Sequence, residues 1–134
     1  MVRGNSMIVA LTVAAPLLAL TIGASGSFAA ASARPAAGQP AAFAQCKACH
    51  SVERGGKSRI GPNLFGVVGA AAGAKPGYAY SPAMAASGMR WDRAKLDAYL
   101  SDPREFLPGT RMMAPGIKDA KKRKAIVDYL ATLK

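Results

Sequence analysis

At 134 residues the chain offers one small domain, and its charge is lopsided: 18 Lys and Arg face 7 Asp and Glu, a formal net charge of +11. So basic a surface attracts acidic partners: nucleic acid, anionic lipid or an acidic protein. The chain holds two cysteines and one histidine, which excludes a self-contained zinc site of four Cys/His ligands.

The amino end reads as an export signal. Residues 1–6 carry Arg3 and no acid, residues 7–24 carry no charge, and "SGSFAAASARPAAGQP" follows with small residues in Ala-x-Ala frames. Basic start, apolar run and small-residue cleavage site form the layout of a secretory segment. The expectation is a signal over residues 1–33, cut after Ala29, Ala31 or Ala33, and a mature domain over 34–134. A retained membrane anchor is the alternative, because the apolar run is near the lower limit for a span. Export makes nucleic acid the weakest of the acidic partners. The mature chain of about 100 residues buries somewhat over 60% of its unfolded surface, enough to fold but not generously.

Residues 34–40 are a lead-in rich in Ala, Gly and Pro. "PAAFAQCKACH" predicts a short helix with Phe43 its one large apolar side chain. From Ser51 to Arg90 the chain is mostly turn sequence, with Gly at many steps and no strand alternation. "WDRAKLDAYLSDP" predicts a helix capped by Asp92, with Leu96, Tyr99 and Leu100 on one face and Pro103 barring continuation. "REFLPGTRMMAPGIKD" reads as loop. "KKRKAIVDYLATLK" predicts the last helix, with Ile126, Tyr129, Leu130 and Leu133 as its apolar stripe. Three short helices cannot cover so long an irregular segment with a core of their own. A large apolar cofactor would fill the centre and give Ile60, Leu64, Phe65, Val67, Val68, Tyr78 and Tyr80 something to pack against.

The cofactor is named by "CKACH". Cys-x-x-Cys-His is the attachment signature of c-type haem: Cys46 and Cys49 meet the two vinyl groups as thioethers, and His50 lies beneath the iron. A redox dithiol would need a strand–helix–strand setting, which is missing. A disulfide between cysteines so close would be strained and close almost no loop. With one histidine, the remaining natural sixth ligand is methionine. Met84 and Met89 lie in a Gly/Ala-rich segment and read as core fillers. Met112 and Met113 lie in "FLPGTRMMAPG", and neighbours in an extended chain point to opposite sides, so one of the two faces the iron.

"CKACH", "GPNLFGVVG", "PGYAYSPAM", "GMRW", "LDAYLSDPREFLPGTRM" and "AIVDYL", in this order and spacing, resemble the class I c-type cytochromes of the mitochondrial type and their short bacterial relatives. The resemblance runs from about Gly38 to Lys134. It implies an all-α small cytochrome c fold, three to five short helices and long loops wrapped around one covalently bound haem c. It selects Met112 over Met113 as the axial partner of His50. It also implies that the Pro62 carbonyl accepts a hydrogen bond from His50 and that Tyr99 lies near the Met112 sulfur. Thr110 would lie near the buried propionate or its water, with Tyr80 and Trp91 donating to that propionate, and Phe43 would pack with Ile126, Tyr129 and Leu130 where the first and last helices cross. Three positions depart from the usual pattern: Ala70 where many relatives have Arg, Met84 where many have Asn, and Gln45 where many have Lys.

The function implied is that of a soluble single-haem carrier moving one electron between membrane redox complexes of a respiratory or photosynthetic chain. It would be a periplasmic monomer, not an enzyme, with no small-molecule substrate. Its partners would be a cytochrome bc-type complex and a terminal oxidase, or another acidic redox protein. They would dock on a haem edge ringed by Lys47, Lys57, Arg59, Arg104, Arg111 and Lys118. The alternative is a haem-based small-ligand sensor or peroxidase-like enzyme with a labile sixth ligand. The run "KKRK" at 121–124 reads as a solvated face.

Overall fold

The computed structural model describes residues 38–134; the expected signal at 1–33 lies outside the described residues. A 3-10 turn at Ala41–Phe43 leads into helix α1, Ala44–Lys47. Then follow α2, Pro82–Ala85; α3, Arg93–Ser101; α4, Pro103–Phe106; and α5, Ala120–Thr132. Among the described residues there is no strand, only one antiparallel bridge between Ala71 and Arg90.

The helices begin where side-chain acceptors meet free backbone amides. Asp92 accepts from Lys95 N at the start of α3, and Asp119 accepts from Lys121 N and Lys122 N at the start of α5. The expected faces are buried: Leu96, Tyr99 and Leu100 on α3, and Ile126, Tyr129 and Leu130 on α5, joined there by Val127, while Leu133 at the end of the expected stripe is half-buried. Phe43 and Ile126 are fully buried. The Phe43 ring meets Tyr129 edge-on at 4.9 Å, the expected junction of first and last helices.

Two helices, α2 and α4, form where the sequence predicts turn and loop. Both use one device, a capping side chain followed by proline. Ser81 accepts from Met84 N ahead of Pro82, and Asp102 accepts from Glu105 N ahead of Pro103. Proline fits the first helical position because its missing N–H would have no partner there. Pro103 therefore ends α3, as expected, and also starts α4.

The basic run at 121–124 divides. Lys121 and Lys122 are exposed, but the Arg123 side chain is only 13% exposed and its Nε lies 2.9 Å from Asp97 Oδ1. Arg123 also donates to the carbonyls of Ile117 and Lys118. It clamps α5 to α3 and to the loop before α5. The expectation of a solvated face is thus corrected for this residue.

Between α1 and α2 the chain is organised by backbone contacts. Asn63, 4% exposed, donates to the carbonyls of Glu53 and Gly56 and accepts from Phe65 N. Its amide acts as an internal scaffold, the usual way a buried polar group is satisfied. Gly69 N, Trp91 N and Ala72 N pair with Trp91 O, Ala70 O and Met89 O around the bridge.

Candidate haem site

One cavity of about 450 Å³ opens in this framework, within the usual range of about 300–1,000 Å³ for cofactor sites. Cys46 lines it from α1, Cys49 and His50 from the turn just after it, and Pro62 from the following loop. Tyr80, Trp91, Tyr99, Thr110 and Met112 line it from the second half of the chain. All nine residues expected to hold or touch the cofactor border this one space; of the loop residues expected to pack against it, Ile60, Leu64, Tyr78 and Tyr80 do so, whereas Phe65, Val67 and Val68 do not line it.

The histidine is held firmly. Cys49 N and His50 N both donate to Cys46 O, and Gly61 N donates to Cys49 O at 2.9 Å. His50 Nδ1 donates to Pro62 O at 2.7 Å. A carbonyl only accepts, so the proton is on Nδ1 and the neutral ring keeps the lone pair of Nε2. Burial lowers the pKa of His50 from its ordinary value, and the Pro62 bond opposes that in part. Gly61 lies flat against the ring. A Cβ at this position would fall 2.4 Å from Cε1, so only glycine lets the strap pass so close. Burial pushes the Cys46 thiol up to about 11, with the neighbouring Cys49 adding to the effect. The two thiols are not paired with each other.

The methionine side is tied by side chains. Tyr99 Oη and Thr110 Oγ1 share a hydrogen bond at 2.6 Å, and Met112 N donates to the same Oγ1 at 3.3 Å. Thr110 thus links the phenol of α3 to the backbone of Met112. Burial raises the pKa of Tyr99, and the bond from Thr110 opposes the shift. Burial also raises that of Tyr80. Trp91, Tyr99 and Phe106 form an aromatic cluster with ring separations of 5.0, 5.9 and 6.4 Å. Met84, where many of the resembled proteins have Asn, is buried and borders the cavity with its apolar side chain.

The donor set fits the group implied by the sequence. Two thiols, one imidazole nitrogen with a free lone pair and three thioethers, those of Met84, Met112 and Met113, border a mostly apolar space. Its polar groups are chiefly phenols, hydroxyls and an indole, and Arg111 is its one Lys or Arg side chain. Soft sulfur and imidazole ligands suit an iron–porphyrin centre.

One contact between lining loops carried no legible sequence signal. Tyr78 donates from its phenol to Ile60 O at 3.0 Å, tying two lining loops together. Ile60 and Met113, 77% and 76% exposed, both border the cavity. The basic candidates are exposed, but not all are free. Lys118 Nζ is 3.3 Å from Asp102 Oδ2, Arg59 donates to Lys47 O, and Arg111 donates to Ala79 O. Among the described residues, no helix is long and apolar enough to cross a membrane.

Comparison with known proteins identifies the family. The family model for cytochrome c matches residues 35–134. Cytochrome c2 iso-2 of Magnetospirillum molischianum is 46% identical over 95 residues, covering 71% of this chain and 97% of the relative. Cytochrome c-550 of Nitrobacter winogradskyi is 49% identical over 78 residues, covering 58% of this chain and 72% of the relative. The solved structure of cytochrome cH from Methylobacterium extorquens superposes with a TM-score of 0.66 at 51% identity, covering 72% of this chain and 97% of that one. The chain therefore belongs to the cytochrome c family, electron-transfer proteins that carry one covalently bound haem c.

Proposed function

We propose that this protein is a periplasmic shuttle that takes one electron from a cytochrome bc-type complex and passes it to a terminal oxidase or another acidic redox partner. Cys46 and Cys49 would hold the haem through thioethers, and His50 Nε2 and Met112 Sδ would bind its iron. When bound, the haem iron supplies a ferric–ferrous couple. The observation that carries this reading is the convergence of both thiols, the imidazole and the Met112 side chain on one largely apolar cavity.

Each residue has a physical task. The Nδ1 bond to Pro62 O fixes the ring and raises the basicity of Nε2. The Tyr99–Thr110–Met112 chain of hydrogen bonds restrains the methionine backbone. Apolar lining residues such as Leu64, Leu96 and Leu100 exclude water and favour the less charged state of the site. With His50 and Met112 both binding the iron, little would rearrange when an electron moves. Lys47, Lys57, Arg59, Arg104 and Arg111 steer an acidic partner toward the opening, an attraction that salt screens.

Two measurements test the assignment. Acid and organic solvent should leave the colour on the protein; extracted colour would overturn the thioethers. The oxidised protein should show the weak far-red sulfur-to-iron band. Met112→Ala should abolish the band and admit azide, while Met113→Ala should leave it. The opposite pattern would move the role to Met113, and an untreated protein without the band would favour a ligand sensor.

A further inference from the structure

Met113 differs from the other methionines of the described chain. Met84 is buried, Met89 is packed against the core, and Met112 is half-buried. Met113 is 76% exposed and borders both the cavity and a shallow dish formed with Asp102, Pro103, Arg104 and Pro115. Its sulfur faces a partner: Arg104 Nη2 lies 3.6 Å from Met113 Sδ. Arg104 is exposed on α4 and makes no ion pair among those of the described residues.

We propose that Met113 is a reversible oxidation site, and that its sulfoxide captures the Arg104 guanidinium. The oxidant class is a peroxide. The thioether lone pair attacks one peroxide oxygen, forming the S–O bond as the O–O bond breaks. Sulfur gives up two electrons, and the second oxygen leaves as water after taking the proton of the first. Exposure decides which methionine reacts, because the peroxide must reach the sulfur. A thioether is a weak acceptor, whereas a sulfoxide oxygen is a strong, polar one. The present 3.6 Å contact already holds Arg104 where that oxygen will form.

Oxidation would change two features at once. One of the two exposed large apolar side chains bordering the cavity becomes polar, and Arg104 is drawn from solvent onto the loop carrying Met112. The consequence for docking rests on the proposed cationic rim; the chemistry at Met113 does not.

The test uses the full holoprotein and hydrogen peroxide. Peptide mass mapping over time should place the first added oxygen on Met113, ahead of Met84 and Met89. In guanidinium NMR, the Arg104 Nε–H signal should shift and rotation about its C–N bonds should slow. Methionine sulfoxide reductase should reverse both changes. Met113→Leu should abolish the Arg104 response to peroxide. First oxidation at another methionine, or unchanged Arg104 signals in the sulfoxide form, would overturn the proposal. Absence of the far-red band before treatment would instead count against Met112 as ligand and leave the mapping order untouched.

Discussion

The two halves of the cavity are built differently. Around His50, the backbone of residues 46–64 is knitted by its own amides and carbonyls: Cys46 O, Cys49 O and Ser51 O all accept from backbone donors. Asn63 and Gly61 lock the loop against the turn and the ring. Around Met112, the amide of Met112 relies on one threonine hydroxyl, and residues 113–115 are exposed. That loop is anchored at Thr110 and again near Gly116, where a Cβ would fall 2.0 Å from Ser101 O and where Ile117 N donates to Leu100 O. Segments with exposed backbone and few buried contacts open at lower free energy than a knitted core. The histidine side should therefore remain assembled when the methionine side lets go.

The most damaging change should be Gly61→Ala. Its methyl would strike the His50 ring, and overpacking of this kind costs about 1–3 kcal/mol. The upper end is expected here, because the contacts fall at 2.4, 2.8 and 2.9 Å on three ring atoms. Thermal melting and the yield of haem-loaded protein read it out. A variant as stable as wild type would show that the tight side has slack.

Arg123→Ala comes next and acts on the loose side. It removes the Asp97 pair and the donors to Ile117 O and Lys118 O that hold the carboxyl end of the Met112 loop. Because Asp97 is 42% exposed, the loss should be about 2 kcal/mol, below the cost of breaking a fully buried pair. Denaturant titration should show the far-red band disappearing earlier than in wild type, with haem attachment unchanged. Simultaneous loss of band and helix signal would contradict the division into two regions.

Thr110→Val should be smaller, about 1 kcal/mol for the lost hydroxyl contacts. It frees Tyr99 and the Met112 amide together. Opening of the methionine side should become about fivefold more frequent, read as tighter apparent binding of imidazole to the oxidised protein. Unchanged imidazole affinity would remove Thr110 from the restraint.

The smallest effect should come from the rim. Lys118 already faces Asp102, so Lys118→Glu should slow reaction with an acidic redox partner less than Arg111→Glu at the cavity edge. Both differences should shrink as salt rises. Equal slowing by the two changes would place the docking face elsewhere.

Much of this was legible in the sequence because strong local rules were at work. "CKACH" names its chemistry, Asp92 caps α3 as expected, and the stripe of Ile126, Tyr129 and Leu130 is a direct consequence of helical period. The nine residues expected at the site each sit in a motif of the resembled family, and all nine border the cavity. What stayed hidden depends on where loops meet. Proline after Asp102 reads as a stop, yet Asp-Pro with Glu105 following also starts a helix. Arg123 looked like one charge among four until folding brought Asp97 and two carbonyls to it. The contact between Gly61 and the imidazole leaves no trace in a glycine-rich stretch, and neither does the bond from Tyr78 to Ile60 O.

The central claim is an iron held by His50 and Met112 in both oxidation states, with no open position. A spectroelectrochemical titration of the purified protein, followed in the visible and far-red, tests it most directly. The account predicts a single one-electron curve that retraces itself on reoxidation, the far-red band rising in step with the oxidised form. A missing band, or a curve that fails to retrace because a ligand is exchanged, would contradict it.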